Sequence, residues 1–253
     1  MTTLLNIDAN PKTIKGQARG YMTAVLYLAP YKASGVNLCP TAELAGCWEG
    51  CLNTAGRGGI AKRGDVIATD AGALPDNAIQ RARLERTRIF NEDRGAFLAQ
   101  LTREIRAFVR KAERADLTPA VRLNGTSDIE WERVAPELFE TFADVQFYDY
   151  TKLPKRFKRT LPDNYYLALS YSEASERYAE MCRAANEEHG ASLVKVIRTK
   201  AEKARQLALL TSEGAPVVDG DAHDLRFLDV PGAMVLLTAK GRARNDRTGF
   251  VLG

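Results

Sequence analysis

From Pro119 onward the chain alternates short apolar runs with helix-patterned stretches, and this alternation limits the available folds more than any other feature. Residues 120–123, 145–148, 165–171, 192–197, 217–218 and 234–238 read as strands. Residues 134–142, 173–188 and 200–210 read as helices between them. A strand and a crossover helix about every 25 residues is the signature of βαβ units and a parallel sheet. Upstream, residues 21–29 form another apolar strand run, ended by Pro30 and Gly35. Residues 77–115 form a long helical zone whose Phe97, Leu98, Leu101, Ile105, Phe108 and Val109 repeat at three-to-four spacing, so one face is buried. No Pro- or Ser-rich linker divides the chain. The expected fold is α/β, a single-domain partial (βα)6-type barrel with parallel strands over residues 21–253. Residues 1–20 form an N-terminal arm and residues 38–59 a cysteine loop.

In parallel α/β folds chemistry gathers at the carboxyl ends of the strands. The polar residues follow that rule. Cys39, Cys47 and Cys51 come after the first strand, and Asn124, Ser127 and Asp128 after the second. Asp149, Tyr150 and Lys152 end the third, Ser170 and Glu173 the fourth, Arg198 the fifth, and Asp219–Asp224 with His223 the sixth.

Three cysteines on one short loop supply soft ligands for zinc or for an iron–sulfur cluster. A structural zinc site takes four protein ligands, and a distant fourth would be His223 or Cys182. Three unrelated buried thiols are the plain alternative. The carboxylates of residues 219–224 suit a hard divalent cation, but Asp and Gly also make tight turns, and His223 beside Asp224 suits proton transfer. His189, next to Gly190, fits a helix C-terminus. The glycines of residues 56–59 lack the lysine of a phosphate-binding loop and serve close backbone approach or flexibility. Tyr148 and Tyr150 share one side of their strand, one as core and one as a stacking platform.

A cysteine trio directly after the first strand of a partial barrel resembles the radical S-adenosylmethionine enzymes, although the spacing here is C-x7-C-x3-C. That resemblance implies a 4Fe–4S cluster on Cys39, Cys47 and Cys51, with S-adenosylmethionine on the open iron. Asn124, Ser127, Asp128, Ser170 and Glu173 would contact the cosubstrate. Tyr150, Lys152, His223 and Asp224, with Asp149 and Lys240, would face a substrate attacked by a 5′-deoxyadenosyl radical. The stretches Cys47–Gly58, Val121–Asp128, Val145–Lys152, Asp219–Asp224 and Ala239–Arg244 resemble the phage gene-product-eighty-eight family over nearly the whole chain. A phage setting implies a small-molecule or nucleotide substrate, or a modified DNA base, and a reductant for the cluster. The rival reading is a zinc-stabilised nucleic-acid-binding protein without catalysis.

A net charge of +4 permits a phosphate-bearing partner without requiring one. Residues 81–114 alternate basic with acidic side chains and read as a solvated, salt-bridged face; Lys240, Arg242, Arg244 and Arg247 form another basic group. No apolar run is long enough to cross a bilayer and the N-terminus lacks a secretory pattern, so the expected location is the cytoplasm, of the host cell if phage-encoded.

Overall fold

The computed structural model describes residues 2–253. Its strands are β1 (Leu5–Ile7), β2 (Tyr21–Leu26), β3 (Val66–Ile67), β4 (Leu74–Pro75), β5 (Thr118–Arg122), β6 (Gln146–Thr151), β7 (Tyr165–Ser170), β8 (Leu193–Ile197), β9 (Val217–Asp219), β10 (Met234–Thr238) and β11 (Val251–Leu252). The helices are α1 (Pro11–Ile14), α2 (Ala78–Glu92), α3 (Arg94–Arg114), α4 (Trp131–Val134), α5 (Glu137–Thr141), α6 (Glu176–His189) and α7 (Lys200–Ser212).

The fold is mixed α/β around a mostly parallel sheet of order β1-β2-β5-β6-β7-β8-β10-β9. Only β1 runs antiparallel, against β2; β3 and β4 form a separate small hairpin. From β2 to β8 each new strand adds to the same side of the last, so the winding never reverses. The sheet does not close into a barrel, since β1 and β9 are its two ends. β7 and β8 pair only at Leu169–Leu193 and Ser170–Val194, and beyond that point β11 pairs with Val196 and Ile197 of β8.

Strand alternation divides the side chains between two faces. Met22, Ala24, Leu26, Val121, Leu123, Phe147 and Leu167 pack against the helical layer, where α3 contributes Phe97, Leu101, Ile105, Phe108 and Ala112. On the other face Ala120, Tyr148 and Tyr166 pack with Leu225 and Phe227 of the β9–β10 connection, while Ala168, Val194 and Val235 pack with Tyr150, Val218 and Leu237. There Leu225 is fully buried, and Phe227 packs edge-on to Tyr21 at 5.1 Å and Tyr148 at 5.5 Å.

Three expectations need correction. The 77–115 zone is two helices, because Asp93 ends α2 with its N–H on Ile89 O (2.9 Å) and caps α3 with its carboxylate on Ala96 N (2.9 Å). Residues 134–142 likewise break at Ala135 and Pro136, the C-cap of α4 and the N-cap of α5. The first 20 residues, expected as an N-terminal arm, are tied to the core: β1 joins the sheet, Leu4 is fully buried, and Glu104 of α3 accepts the Leu4 and Leu5 N–H groups at 2.9–3.0 Å.

Candidate functional site: a cysteine-lined cleft

Cys39, Cys47 and Cys51 line one cleft of about 480 Å³ beyond the carboxyl end of β2. Its walls include Tyr31, Trp48, Asn53, Leu74, Arg242, Asn245 and Asp246. The loop is held at both sides. From α2, Arg83 Nη1 donates to Asn53 O (2.7 Å) and Oδ1 (2.5 Å), and Gln80 Nε2 donates to Asn53 O (2.9 Å) and Gly58 O (2.8 Å). From the C-terminal segment, Thr248 Oγ1 donates to Gly46 O (2.8 Å), while Asp246 accepts Thr248 Oγ1 (2.8 Å) and Val251 N (3.0 Å). Gly46 has φ 61°, and a Cβ there would lie 2.6 Å from both Ala174 Cβ and Thr248 Oγ1. The glycines of the 3-10 helix Gly56–Gly59 serve close packing: a Cβ on Gly59 would lie 2.2 Å from Thr54 O.

All three thiols are held neutral by their surroundings. Burial pushes Cys39 well up, and charge on Cys51 or Cys47 would push it further; Tyr31 N–H donates to its Sγ at 3.3 Å. Burial pushes Cys51 to about 11, opposed by the Asn53 N–H on its Sγ (3.4 Å). Burial also raises Cys47, with the Lys152 ammonium pulling the other way. The sulfurs therefore sense one another, and forming one thiolate hinders the next. A cation between them reverses that penalty, because thiolate ligation requires deprotonation. Among the described residues no three His, Cys, Asp or Glu side chains meet in a geometry that holds a single metal ion. Asn53 is 1% exposed, borders the cleft, and its Nδ2 has no hydrogen-bond partner among the described residues. A buried amide donor left in this state marks a wall built to meet an acceptor.

Lys152 is the one proposed catalytic residue coupled to the cysteines. Burial lowers its pKa against the pull of Cys47, Cys182, Asp128 and Asp246. Its Nζ donates to Ser170 O (3.1 Å) and lies 4.4 Å from the Phe250 ring centroid. Asp128 supports it from below, accepting Lys152 N (2.6 Å) and Thr151 Oγ1 (2.8 Å).

The remaining expected site residues lie elsewhere. Asn124 is saturated: its N and Nδ2 donate to Asp149 (2.7 and 3.1 Å), and Oδ1 accepts Ser127 Oγ, Ile129 N and Trp131 Nε1 (2.9–3.2 Å). Ser127 is used in that network, and Glu173 is exposed with Tyr171 OH on its carboxylate at 3.2 Å. Asp224, Tyr150 and His223 do not border the cleft; Asp224 and His223 belong to the β9–β10 connection, and Tyr150 hydrogen-bonds to Asp224 from β6. Asp224 accepts Tyr148 OH (3.2 Å), Tyr150 OH (3.1 Å) and Arg122 Nη1 (3.2 Å). Burial opposes ionisation there, yet Arg122, Lys12 and Arg226 hold the carboxyl below its usual range. Burial and then Arg226 keep His223 neutral, and Nδ1 faces Arg226 Nη2 at 3.3 Å, which puts the ring proton on Nε2.

The hard-cation reading of residues 219–224 fails, because lysines occupy the carboxylates. Lys203 Nζ binds Asp219 (2.5 Å) and Asp221 (3.0 Å), and Lys12 and Lys240 reach Asp221 at 3.5 and 3.2 Å. Neither of the distant fourth ligands borders the cleft: Cys182 is in the core with Tyr178 and Ala185, and His223 lies in the β9–β10 connection. His189 ends α6 before Gly190 at φ 65°, as expected of a helix terminus. Sequence reasoning missed Asn53, Asn245 and Asp246, whose only signals were their closeness to Cys51 and to the basic run 240–247.

Fold and cleft together define a mixed α/β protein with a cysteine-lined cavity at the carboxyl side of a parallel sheet. The chain belongs to the Gene product 88 family, whose model matches residues 3–252. No curated protein and no solved structure is significantly similar to it. Among the described residues no helix is long and apolar enough to cross a membrane.

Proposed function

We propose that the protein is an iron–sulfur enzyme of the radical S-adenosylmethionine kind, with Cys39, Cys47 and Cys51 as the cluster ligands. The observation that carries this reading is the convergence of three cysteines, and no fourth thiol or imidazole, on one cleft bordered by an unpartnered buried amide. The donor set fits: three soft thiol donors bordering one cleft suit iron–sulfur ligation. The unidirectional strand order also supports reading the open sheet as a partial (βα)6 barrel.

A 4Fe–4S cluster bound there would supply one-electron reduction of the S-adenosylmethionine sulfonium, fed by an external reductant. The chain's own residues bind and shield. The Lys152 ammonium offsets negative charge at Cys47. Asn53 Nδ2 offers a donor, Arg242 a cation for a carboxylate, and Trp48, 39% exposed and stacked on Tyr31 at 6.0 Å, covers the side of the cleft. Asn124, Ser127 and Asp128 act as supports of the strand-end loop rather than as ligand contacts.

Anaerobic purification followed by iron, sulfide and zinc analysis tests the proposal. Iron and sulfide in equal amounts, lost in Cys47→Ala and kept in Cys182→Ala, are expected. Stoichiometric zinc with neither iron nor sulfide overturns it and leaves the zinc-stabilised alternative.

A further inference from the structure

The exposed side of α3 carries four arginines that form no ion pair among the described residues. Arg103, Arg106, Arg110 and Arg114 follow at steps of three, four and four residues, opposite the buried Leu101, Ile105 and Phe108. That spacing lays them along one stripe, about 16 Å long at the helical rise of about 1.5 Å per residue. All four are exposed, and none makes an ion pair among the described residues. Arg106 only approaches the Phe142 ring, at 6.0 Å.

The bareness has a structural cause. α3 holds six cationic and two acidic side chains, both acids within the stripe's span: Glu104 is turned to the N-terminal strand, and Glu113, exposed between Arg110 and Arg114, makes no ion pair among the described residues. The Glu104 oxygens accept Leu4 N, Leu5 N and Gln100 Nε2 at 2.8–3.0 Å. On the other long helices Arg88 pairs with Glu85 and Glu92, Arg183 with Glu176 and Arg205 with Glu202, leaving Arg177 as a single unpaired exposed arginine on α6 rather than a stripe. The expected salt-bridged face over residues 81–114 is thus confined to α2. There Arg81 and Arg88 pair with acids, while Arg83 and Arg86 turn inward to carbonyl oxygens.

We propose that this stripe docks the phosphate backbone of duplex nucleic acid. Guanidinium groups bind phosphate bidentately, and helical steps of three and four put them about 5–6 Å apart, within reach of successive phosphates on one strand. Backbone contacts of this kind carry no base information, so the binding is sequence-independent. A lipid surface fits less well. Membrane-surface helices bury an apolar face in lipid, whereas that of α3 is spent on the core and α3 shows no exposed large hydrophobic side chain. The inference does not rest on the cysteine chemistry.

Fluorescence anisotropy with a labelled mixed-sequence duplex, titrated at increasing salt, tests it. The unsubstituted protein should bind with a log–log salt slope of about −3 to −4, as neutralising three or four phosphates requires. Replacing Arg103, Arg106, Arg110 and Arg114 together by Gln should weaken binding by at least about tenfold at low salt and flatten the slope by about three. A control with the same charge change on α6 and α7, Arg177, Arg183, Lys200 and Arg205 to Gln, should bind nearly as the unsubstituted protein does. Circular dichroism establishes that both variants are folded. No duplex binding at low salt, an equal loss in the control, or arginine-dependent binding to phosphatidylserine vesicles without duplex binding overturns the proposal.

Discussion

Replacing Arg156 by Met should destabilise the protein by about 3–5 kcal/mol near neutral pH, the usual cost of leaving buried charges without their partner. The Arg156 side chain is fully buried in the 3-10 helix Pro154–Lys158, and those of Glu132 and Asp128 are 7% exposed. Its Nε and Nη2 donate to the two Glu132 oxygens at 3.0 and 2.6 Å, Nη2 also to Tyr165 OH at 3.0 Å, and Nη1 lies 3.5 Å from Asp128. Methionine fills similar length but strands two carboxylates. At about 2–4 °C per kcal/mol for a chain of this size, the midpoint should fall by roughly 6–20 °C. Burial already raises the Asp128 pKa, and Arg156 is the largest influence pulling it back. Without Arg156 the folded-state value rises further above the unfolded one. The extra penalty is then absent below the unfolded pKa and grows as pH rises through the folded one, so the deficit should shrink in acid. Urea denaturation at about pH 5 and about pH 7.5 measures both effects. Adding Glu132→Gln to Arg156→Met should recover part of the loss, because one stranded charge disappears. A loss below about 1 kcal/mol at neutral pH, a deficit that grows toward acid, or no recovery in the double variant would refute this account of the loop.

Two other substitutions probe the frame of the cleft. Gly46→Ala should cost about 2–4 kcal/mol, combining a left-handed backbone with Cβ contacts at 2.6 Å, and thermal unfolding should show it; an unshifted midpoint would mean that the C-terminal segment does not seat on the cysteine loop. Asp149→Asn addresses pH: burial lifts Asp149 to about 7, so its contribution is fully present below the unfolded value and is lost as pH rises through about 7. The variant should unfold with a flatter dependence of stability on pH between about 4 and 7, and an unchanged slope in denaturant titrations would rule the assignment out.

The strand–helix alternation was legible because each strand carries its own apolar run and its own Pro or Gly boundary, signals that are local. The break at Asp93 was not, since one residue both ends α2 and caps α3 without interrupting the apolar repeat of either helix. The cysteine convergence was legible for the same local reason: all three thiols lie on one loop. What strand ends could not disclose is which face each residue takes and what covers that face. The β9–β10 connection draws Tyr150 into the Asp224 cluster, whereas Lys152, just past the end of β6, is near enough to Cys47 for their charges to act on each other. Asn124 looked like a ligand contact by position, but its six hydrogen bonds are all internal. Long-range partners decide these cases.

Buried arginines explain why the loops over the sheet hold a shape at all. Loops expose few apolar side chains to one another, so packing alone cannot fix them, and their backbone carbonyls need donors. Arg83 binds the carbonyl of Asn53, Arg156 joins residues 128–132 to the stretch after β6, and Arg226 ties the β9–β10 connection to its own His223 carbonyl at 2.7 Å. Each guanidinium substitutes a directional fork for a hydrophobic contact. Around the cleft Asn53 Nδ2 is left unpartnered among the described residues together with Gln80 Oε1 and Arg83 Nε beside it, and of the three residues Asn53 borders the cleft. Arg83 fixes Asn53 through both of its oxygens, so the amide nitrogen cannot turn away to find another acceptor. A molecule bound beside the cysteines would supply that acceptor without any rearrangement of the wall.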